Sequence, residues 1–147
     1  MEELHESMKV LLANTFVMYM KAHGYHWNVI GPDFPQLHGI FGDLYEELHS
    51  SLDDIAEQLR TVRSFAPGTL ARIVELSTIP EDDKISKPEN MAKRLWDDNE
   101  VVMSNLRDAY NKAEEASELG LSNFLQDRLT VHAKHGWMLR SIAGIAP

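Results

Sequence analysis

The segment from residue 34 to residue 62 constrains the fold more than any other part of the sequence. Gly31-Pro32 ends the helical pattern before it, because a proline disfavours helical conformation in the preceding residue, and a new helix is predicted from about Phe34. Apolar residues then recur at steps of three and four, within roughly 80° of the helix circumference. They are Leu37, Phe41, Leu44, Leu48, Leu52, Ile55, Leu59 and Val62. The pattern predicts a long helix with one face packed into a core.

A second stripe, made of polar side chains, runs along the same helix about 120° from the apolar one. It consists of His38, Tyr45, His49, Asp53 and Glu57. A helix with both stripes packs one face into its own bundle and presents the other face outside it. Because imidazoles and carboxylates are common ligands of divalent metals, the outer stripe is a candidate metal-binding surface.

The polar stripe is too long for one metal ion to be held by both of its ends. The helix rises about 22 Å from His38 to Asp53 and about 28 Å from His38 to Glu57, whereas ligand atoms lie about 2.0–2.2 Å from a metal. Two antiparallel copies of the helix, related by a two-fold axis near Glu46, would bring the two ends level. His26 can reach His38 through the short turn between the helices. We therefore predict a site with two histidines from one chain and Asp53 and Glu57 from its partner.

Motifs in two parts of the chain resemble those of a known family. They are His26-Trp27-Asn28-Val29, Gly31-Pro32, Phe34, Leu37-His38, Tyr45, Asp53-Asp54-Ile55-Ala56-Glu57 and, more loosely, His135-Gly136-Trp137-Met138-Leu139-Arg140. The chain resembles the Dps mini-ferritins (DNA-binding proteins from starved cells) over most of its length. The resemblance implies an all-α, ferritin-like four-helix bundle that assembles as a hollow homododecamer. By position, it also implies that His26, His38, Asp53 and Glu57 are ferroxidase ligands and that Trp27 is a redox-active neighbour.

The function implied by the resemblance is iron oxidation and storage with protection against oxidative stress. Fe²⁺ would be oxidised to Fe³⁺ at sites shared between subunits, with H₂O₂ favoured over O₂, and the product would mineralise inside the cage. Zn²⁺ or Mn²⁺ would also suit imidazole and carboxylate ligands.

Gly42 is a departure from the family pattern. Many members have a carboxylate at this position, four residues after the second histidine, where it can assist a second iron. Asp43 lies beside it but about 100° away around the helix, which leaves the number of irons per site open.

The remainder of the chain predicts three more long helices in one domain spanning residues 1–147. Apolar residues at helical spacing indicate all three, and no segment alternates like a strand. A long crossover joins the second and third long helices, as in ferritin-like bundles. The first helix is expected over Glu2–Asn28, and a connector follows the second helix over Phe65–Ser86, with room for a short helix around Ala71–Glu75. The third helix is expected to begin at a Ser86–Glu89 capping box and to end at about Glu118. After a break at Gly120, the fourth helix is expected over Ser122–Ile142.

Composition narrows the class of protein. The chain has 147 residues, no cysteine and a net charge of −9, so any metal must be held by histidine and carboxylate. No stretch approaches the 18 or so apolar residues of a membrane span. The acidic start, Met1-Glu2-Glu3, is unlike a secretory signal. We therefore expect a cytoplasmic protein with no membrane partner.

Three alternatives to an intersubunit ferroxidase remain at this point. Glu46-x-x-His49 is half of the motif that builds a di-iron site inside one bundle, as in ferritins or rubrerythrin-like oxidoreductases, but no second copy follows Glu118. A DNA-compacting protein would need basic tails, whereas the first basic residue is Lys9 and residues 141–147 carry no charged side chain, so DNA binding is expected to be weak or absent. The third alternative is an adaptor bundle without metal.

Two smaller expectations concern the remaining polar residues. His5 and His23 have no supporting carboxylates and are expected to be structural or exposed. Glu118 lies near a position that lines an acidic three-fold pore in the family, and Asn123 stands where an aspartate is common.

Overall fold

The computed structural model describes all 147 residues, and it contains five helices and no strand. The all-α prediction is confirmed, including the short helix in the connector. No helix is both long enough and apolar enough to span a bilayer. The helices are α1 (Glu2–Asn28), α2 (Phe34–Thr61), α3 (Leu70–Leu76), α4 (Pro88–Glu115) and α5 (Leu119–Ala143).

Two helical hairpins form the bundle. α1 packs against α2 and α4, α4 packs against α5, and α3 lies on α1. All of the predicted apolar stripe of α2 is buried except Leu52, which is half-buried. The polar stripe faces away from this core, with His38 and Tyr45 half-buried and the other three residues exposed. The two-stripe interpretation of α2 is therefore confirmed, and the stripe that carries the candidate ligands lies on the outside of the bundle.

The crossover between α2 and α4 is fixed to the bundle by polar residues in the α1 core. Asn14 is fully buried; its Oδ1 accepts from the backbone N–H of Thr78 at 2.8 Å, and its Nδ2 donates to Asn105 at 2.7 Å. Further along, the Tyr25 hydroxyl donates to Asp82, which also pairs with Arg94 at 2.9 Å. These bonds hold the long connector against α1 and α4 rather than leaving it free.

The predicted capping box at the start of α4 is wrong. The N-cap is Lys87, and no side chain caps the helix. The Ser86 hydroxyl instead accepts a hydrogen bond from Arg94 at 2.9 Å. Pro88 does occupy the first turn, where its missing N–H costs nothing because that position has no helical acceptor.

The boundary between α4 and α5 lies earlier than the predicted limits at Glu118 and Ser122. Ser117 adopts the left-handed conformation with φ 59°, and the N–H of Glu118 donates back to the carbonyl of Ala113 at 2.9 Å. This closes α4 in the way that a glycine usually does. The predicted break at Gly120 is wrong, since Gly120 lies in the first turn of α5.

Candidate metal centre

The turn between α1 and α2 brings His26 and His38 together. Gly31 has φ 135°, a conformation that side-chain-bearing residues rarely adopt, and it allows the chain to reverse between the two helices. The two imidazole rings stack with centroids 3.8 Å apart and planes at 17°. Both side chains are half-buried at the edge of the outer face.

Each of the two imidazoles is oriented by the other residue's backbone. Nδ1 of His26 lies 2.6 Å from the carbonyl oxygen of His38, and Nδ1 of His38 lies 2.7 Å from the carbonyl oxygen of His26. A carbonyl can only accept, so each Nδ1 carries a proton, and in the neutral imidazole Nε2 then keeps its lone pair. Hydrogen bonds from the nitrogen that does not bind the metal fix the tautomer and orientation of metal-binding histidines. The pair is therefore prepared to donate two nitrogen ligands.

Gly42 provides the space for the His26 ring. It is buried on α2, and a Cβ added there would lie 3.0 Å from both Cε1 and Nδ1 of His26. A carboxylate at this position would force the imidazole to move. The departure from the family pattern therefore has a structural counterpart, because the ring of His26 occupies the place that a side chain at position 42 would need.

Asp53 and Glu57 lie at the other end of α2 and do not meet the histidine pair within the chain. Both are exposed, one turn apart on the same face, and α2 is unbroken from Phe34 to Thr61. No three His, Asp or Glu side chains come together as a metal-binding group in the single chain. The four predicted ligands are thus divided into two half-sites, and the role of the carboxylates stays a prediction.

An open groove next to Asp53 is lined largely by apolar and uncharged residues. It lies between α1, α2 and the segment that leads into α3, and it includes Phe16, Leu52 and Leu70. Leu70, which lines this groove, is 70% exposed. The half-site carboxylate is therefore beside an apolar surface that water covers in the isolated chain, which is the usual character of a surface for another protein molecule.

The surroundings of the histidine pair are aromatic. Trp27 is 57% exposed and packs on the His23 ring with centroids 4.0 Å apart. His23 also stacks on Tyr45. Burial, followed by the nearby imidazoles of His26 and His49, lowers the pKa of His23 and favours its neutral form. His23 was expected to be structural or exposed, and it is half-buried between aromatic rings. The spacing of Tyr19, His23 and Trp27 at steps of four places these three rings on one helix face.

The bundle interior holds a different polar cluster, which sequence reasoning missed. Arg128 donates to both carboxylate oxygens of Glu47, at 2.6 and 3.0 Å, and His135 lies 2.7 Å from the same carboxylate. Burial alone would raise the pKa of Glu47, but the hydrogen bonds from His135 and Arg128 and the charge of Arg128 lower it to about 2. Burial and the Arg128 charge hold the pKa of His132 well below its usual value.

This interior cluster makes the intrachain di-iron alternative unattractive. His132 is already bonded on both ring nitrogens, by Asn99 at 2.7 Å and by Arg128 at 3.0 Å. Glu46 and His49, the Glu-x-x-His pair, are both exposed on the outer face.

His5, expected to be structural or exposed, bonds the carbonyl of Val62 at 2.8 Å and is structural.

Comparisons with known proteins place the chain in a family. A ferritin-like domain model matches residues 6–145. The DNA protection during starvation protein of Brevibacillus brevis is 32% identical over 130 residues, covering 88% of this chain and 87% of that protein. The structure of Dps from Staphylococcus aureus superposes with a TM-score of 0.92 at 30% identity, covering 97% of this chain and 96% of that one.

A third comparison is with the DPS protein from Vibrio cholerae O1, described as a member of a broad superfamily of ferritin-like diiron-carboxylate proteins. It has a TM-score of 0.91 at 28% identity and covers 95% of this chain and 88% of that chain. The fold, the order of the helices and these relatives agree with the resemblance found in the sequence. The chain belongs to the Dps family of mini-ferritins, within the ferritin-like proteins.

Proposed function

We propose that this protein is a ferroxidase and iron store whose metal centres lie between subunits, with His26 and His38 from one chain and Asp53 and Glu57 from a two-fold partner. The observation that carries the proposal is the reciprocal histidine pair. Two imidazoles are locked with their lone pairs free, yet the chain supplies no carboxylate near them. The two oriented imidazoles provide only part of a metal's coordination, and a second molecule is needed to supply the remaining ligands.

The geometry of α2 supports the two-fold arrangement. The helix carries the histidine half-site near one end and the carboxylate half-site near the other, and both lie on the outer face. An antiparallel partner helix exchanges the two ends, so that one interface creates two equivalent centres. The exposed apolar surface beside Asp53 gives that interface a hydrophobic part. A homododecameric cage in the cytoplasm is the assembly we propose by family likeness.

Iron is the substrate at these centres. Imidazole and carboxylate ligands suit Fe²⁺, and H₂O₂ is the oxidant we favour. Two Fe²⁺ ions, one H₂O₂ and two water molecules give two FeOOH units and four protons, so both reagents of hydroxyl-radical chemistry are consumed. Trp27, exposed beside the pair, is proposed to supply an electron when the oxidant is incompletely reduced. Carboxylates such as Glu118 are proposed to attract the cation, in keeping with the charge of −9.

Heteromeric cages provide the decisive test of shared centres. His38→Ala and Asp53→Ala homomers should each lose Fe²⁺ oxidation. When the two variants are co-assembled, some interfaces place an intact histidine pair opposite an intact carboxylate pair, and oxidation should return in proportion to those interfaces. Mixed cages whose composition is verified by native mass spectrometry, but which show no recovery, would contradict the shared site.

DNA binding is not part of the proposed function. The protein has a net charge of −9, whereas phosphate binding depends mainly on lysine and arginine. A gel-shift assay at moderate salt should show weak or no retardation of duplex DNA. Tight binding there would require an additional function.

A further inference from the structure

Four rings on the outer face form a continuous cluster beside the histidine pair. They belong to Tyr19, His23 and Trp27 of α1 and to Tyr45 of α2, and we call them the aromatic cluster. His23 lies between Tyr45, at 3.7 Å and 8° between planes, and Trp27, at 4.0 Å and 38°. The stacked contact with Tyr45 and the tilted contact with Trp27 place the imidazole in electronic contact with a phenol and an indole.

Within the aromatic cluster, Tyr19 alone combines a redox-active ring with a hydrogen bond to a base. Its hydroxyl oxygen lies 3.0 Å from Nδ1 of His23. A neutral imidazole has one acceptor nitrogen, and with its proton on Nε2 it accepts from the phenol at Nδ1. Tyr45 contacts the same imidazole through ring faces rather than through its hydroxyl. Oxidation of a phenol releases its proton, so a positioned acceptor matters most for Tyr19.

The aromatic cluster is linked to the metal centre by direct ring contacts. The Tyr45 ring centroid is 5.1 Å from that of His26, which itself stacks on His38 at 3.8 Å. Tyr19 in turn lies 6.3 Å from Tyr45. Each step is a contact between neighbouring rings, so an electron needs no long jump from Tyr19 to the histidine pair.

We propose that Tyr19 and His23 form a redox-active tyrosine–histidine pair, in which Tyr19 gives one electron to a strong one-electron oxidant formed near His26 and His38 while its phenolic proton moves to Nδ1 of His23. The O–H bond of Tyr19 breaks and an N–H bond forms on His23. The products are a neutral tyrosyl radical, an imidazolium and the reduced oxidant; a hydroxyl radical, for example, becomes hydroxide. The pair would remove single oxidising equivalents that the Fe²⁺ reaction leaves behind.

The other two tyrosines lack this combination. Tyr25 donates to Asp82, but the Tyr25 hydrogen bond and the Arg94 charge lower the pKa of that carboxyl, and a carboxylate is in any case a weaker base than imidazole, with ordinary pKa values of about 3.9 and 6.5. Tyr110 is bonded by the amide of Gln126 at 3.3 Å, and an amide does not take up a proton. Tyr110 is therefore a matched control for Tyr19.

The proposal can be tested on the purified, iron-free assembly with a photochemical oxidant. Flash-generated tris(bipyridine)ruthenium(III) removes one electron from the protein, and transient absorption with electron paramagnetic resonance identifies the radical. We expect a tyrosyl radical that Tyr19→Phe largely abolishes and Tyr110→Phe leaves unchanged. His23→Phe keeps a ring between Tyr45 and Trp27 but removes the proton acceptor, and it should slow radical formation at least about tenfold.

Three results would overturn the proposal. A wild-type tyrosyl yield in Tyr19→Phe would place the radical elsewhere, as would an indolyl radical that accumulates in its place. An unchanged rate and an unchanged solvent deuterium isotope effect in His23→Phe would show that His23 takes no proton. Because His23→Phe could perturb packing, His23→Gln provides a second variant for the same rate measurement. No iron is present, so this outcome is independent of the proposed ferroxidase activity.

Discussion

The chain contains two histidine clusters of similar composition whose hydrogen bonding differs. In the interior, Arg128 and His135 both bond the Glu47 carboxylate, and both ring nitrogens of His132 are bonded, one to Asn99 and one to Arg128. On the outer face, His26 and His38 use only their Nδ1 atoms, each on the other's backbone. The Glu47 carboxylate and the His132 imidazole are therefore already engaged within the chain, whereas both imidazoles of the outer pair keep Nε2 free and have no carboxylate beside them.

The difference shows how a structural histidine can be told from a candidate ligand. Burial alone does not decide, since both clusters contain half-buried imidazoles. The deciding property is whether the nitrogen that would bind a metal already has a partner within the chain: Nε2 of His132 and of His135 has one, whereas His26 and His38 are bonded only through Nδ1. A satisfied cluster contributes to the free energy of unfolding, and an unsatisfied pair at an exposed edge is available to a metal or to another subunit.

The largest expected effect comes from breaking the interior cluster. Arg128→Met leaves the partly buried Glu47 carboxylate without its guanidinium, and we expect the free energy of unfolding to fall by about 2–3 kcal/mol. Urea denaturation measures this. The exposed Arg72–Glu75 pair supplies the control: Arg72→Met should cost less than about 1 kcal/mol. Equal losses in the two variants would contradict the distinction between the clusters.

Removal of a histidine from the outer pair should greatly weaken metal binding but change the free energy of unfolding only slightly. His38→Ala should weaken Co²⁺ or anaerobic Fe²⁺ binding by roughly 100-fold, while the free energy of unfolding falls by only about 1 kcal/mol for the lost hydrogen bond. Isothermal titration calorimetry gives the affinity. His5→Ala also loses a hydrogen bond to a backbone carbonyl and should bind metal normally. A similar loss of affinity in both variants would argue against a role for the pair as ligands.

Lowering the pH should reduce the free energy of unfolding, because Glu47 in the interior cluster becomes protonated. Its pKa is lowered from 4.5 to about 2 in the folded protein, so its stabilising contribution is complete above about pH 4.5 and is lost as the pH falls toward 2. Because the side chain is partly exposed, we expect roughly 1–2 kcal/mol over this window. The difference in unfolding free energy between the wild type and Glu47→Gln should shrink as the pH is lowered. A difference that is constant from pH 6 to pH 3 would contradict this.

The smallest expected effect concerns the space beside His26. Gly42→Ala should displace the imidazole, because a Cβ there lies 3.0 Å from the ring, and should weaken metal binding about tenfold. Gly39→Ala is the matched control: it lies on the same helix, is exposed and meets no atom within 4 Å. Both substitutions favour helix by about 0.5–1 kcal/mol. If Gly42→Ala binds metal as tightly as Gly39→Ala, position 42 does not orient His26.

Much of the fold could be predicted because helical periodicity is a local property. The two stripes of α2 follow from residue spacing, and the start of α2 follows from Gly31-Pro32. The helix ends were less predictable. Ser117 in the left-handed conformation replaced the expected break at Gly120, and Ser86 bonded Arg94 rather than capping α4. Apolar periodicity indicates neither outcome, because the end of α4 is set by local backbone bonds at Ser117 and Glu118 and the Ser86 hydroxyl is taken by the Arg94 guanidinium.

The candidate site was predictable in its residue types but not in its details. Spacing indicated that His38 and Asp53 could not share an ion within one chain. It could not indicate the reciprocal Nδ1 hydrogen bonds or the contact between Gly42 and His26, because these depend on the path of the α1–α2 turn. Glu47 and Arg128 are distant in sequence, and no local pattern pairs them.

The most direct test of the central claim is a crystal structure of the iron-soaked protein with anomalous scattering at the iron edge. A shared site predicts an iron peak about 2.0–2.2 Å from Nε2 of His26 and of His38, with Asp53 and Glu57 of a second molecule completing the coordination. An iron held within the bundle of a single chain, or at the histidine pair with no carboxylate from another subunit, would contradict it.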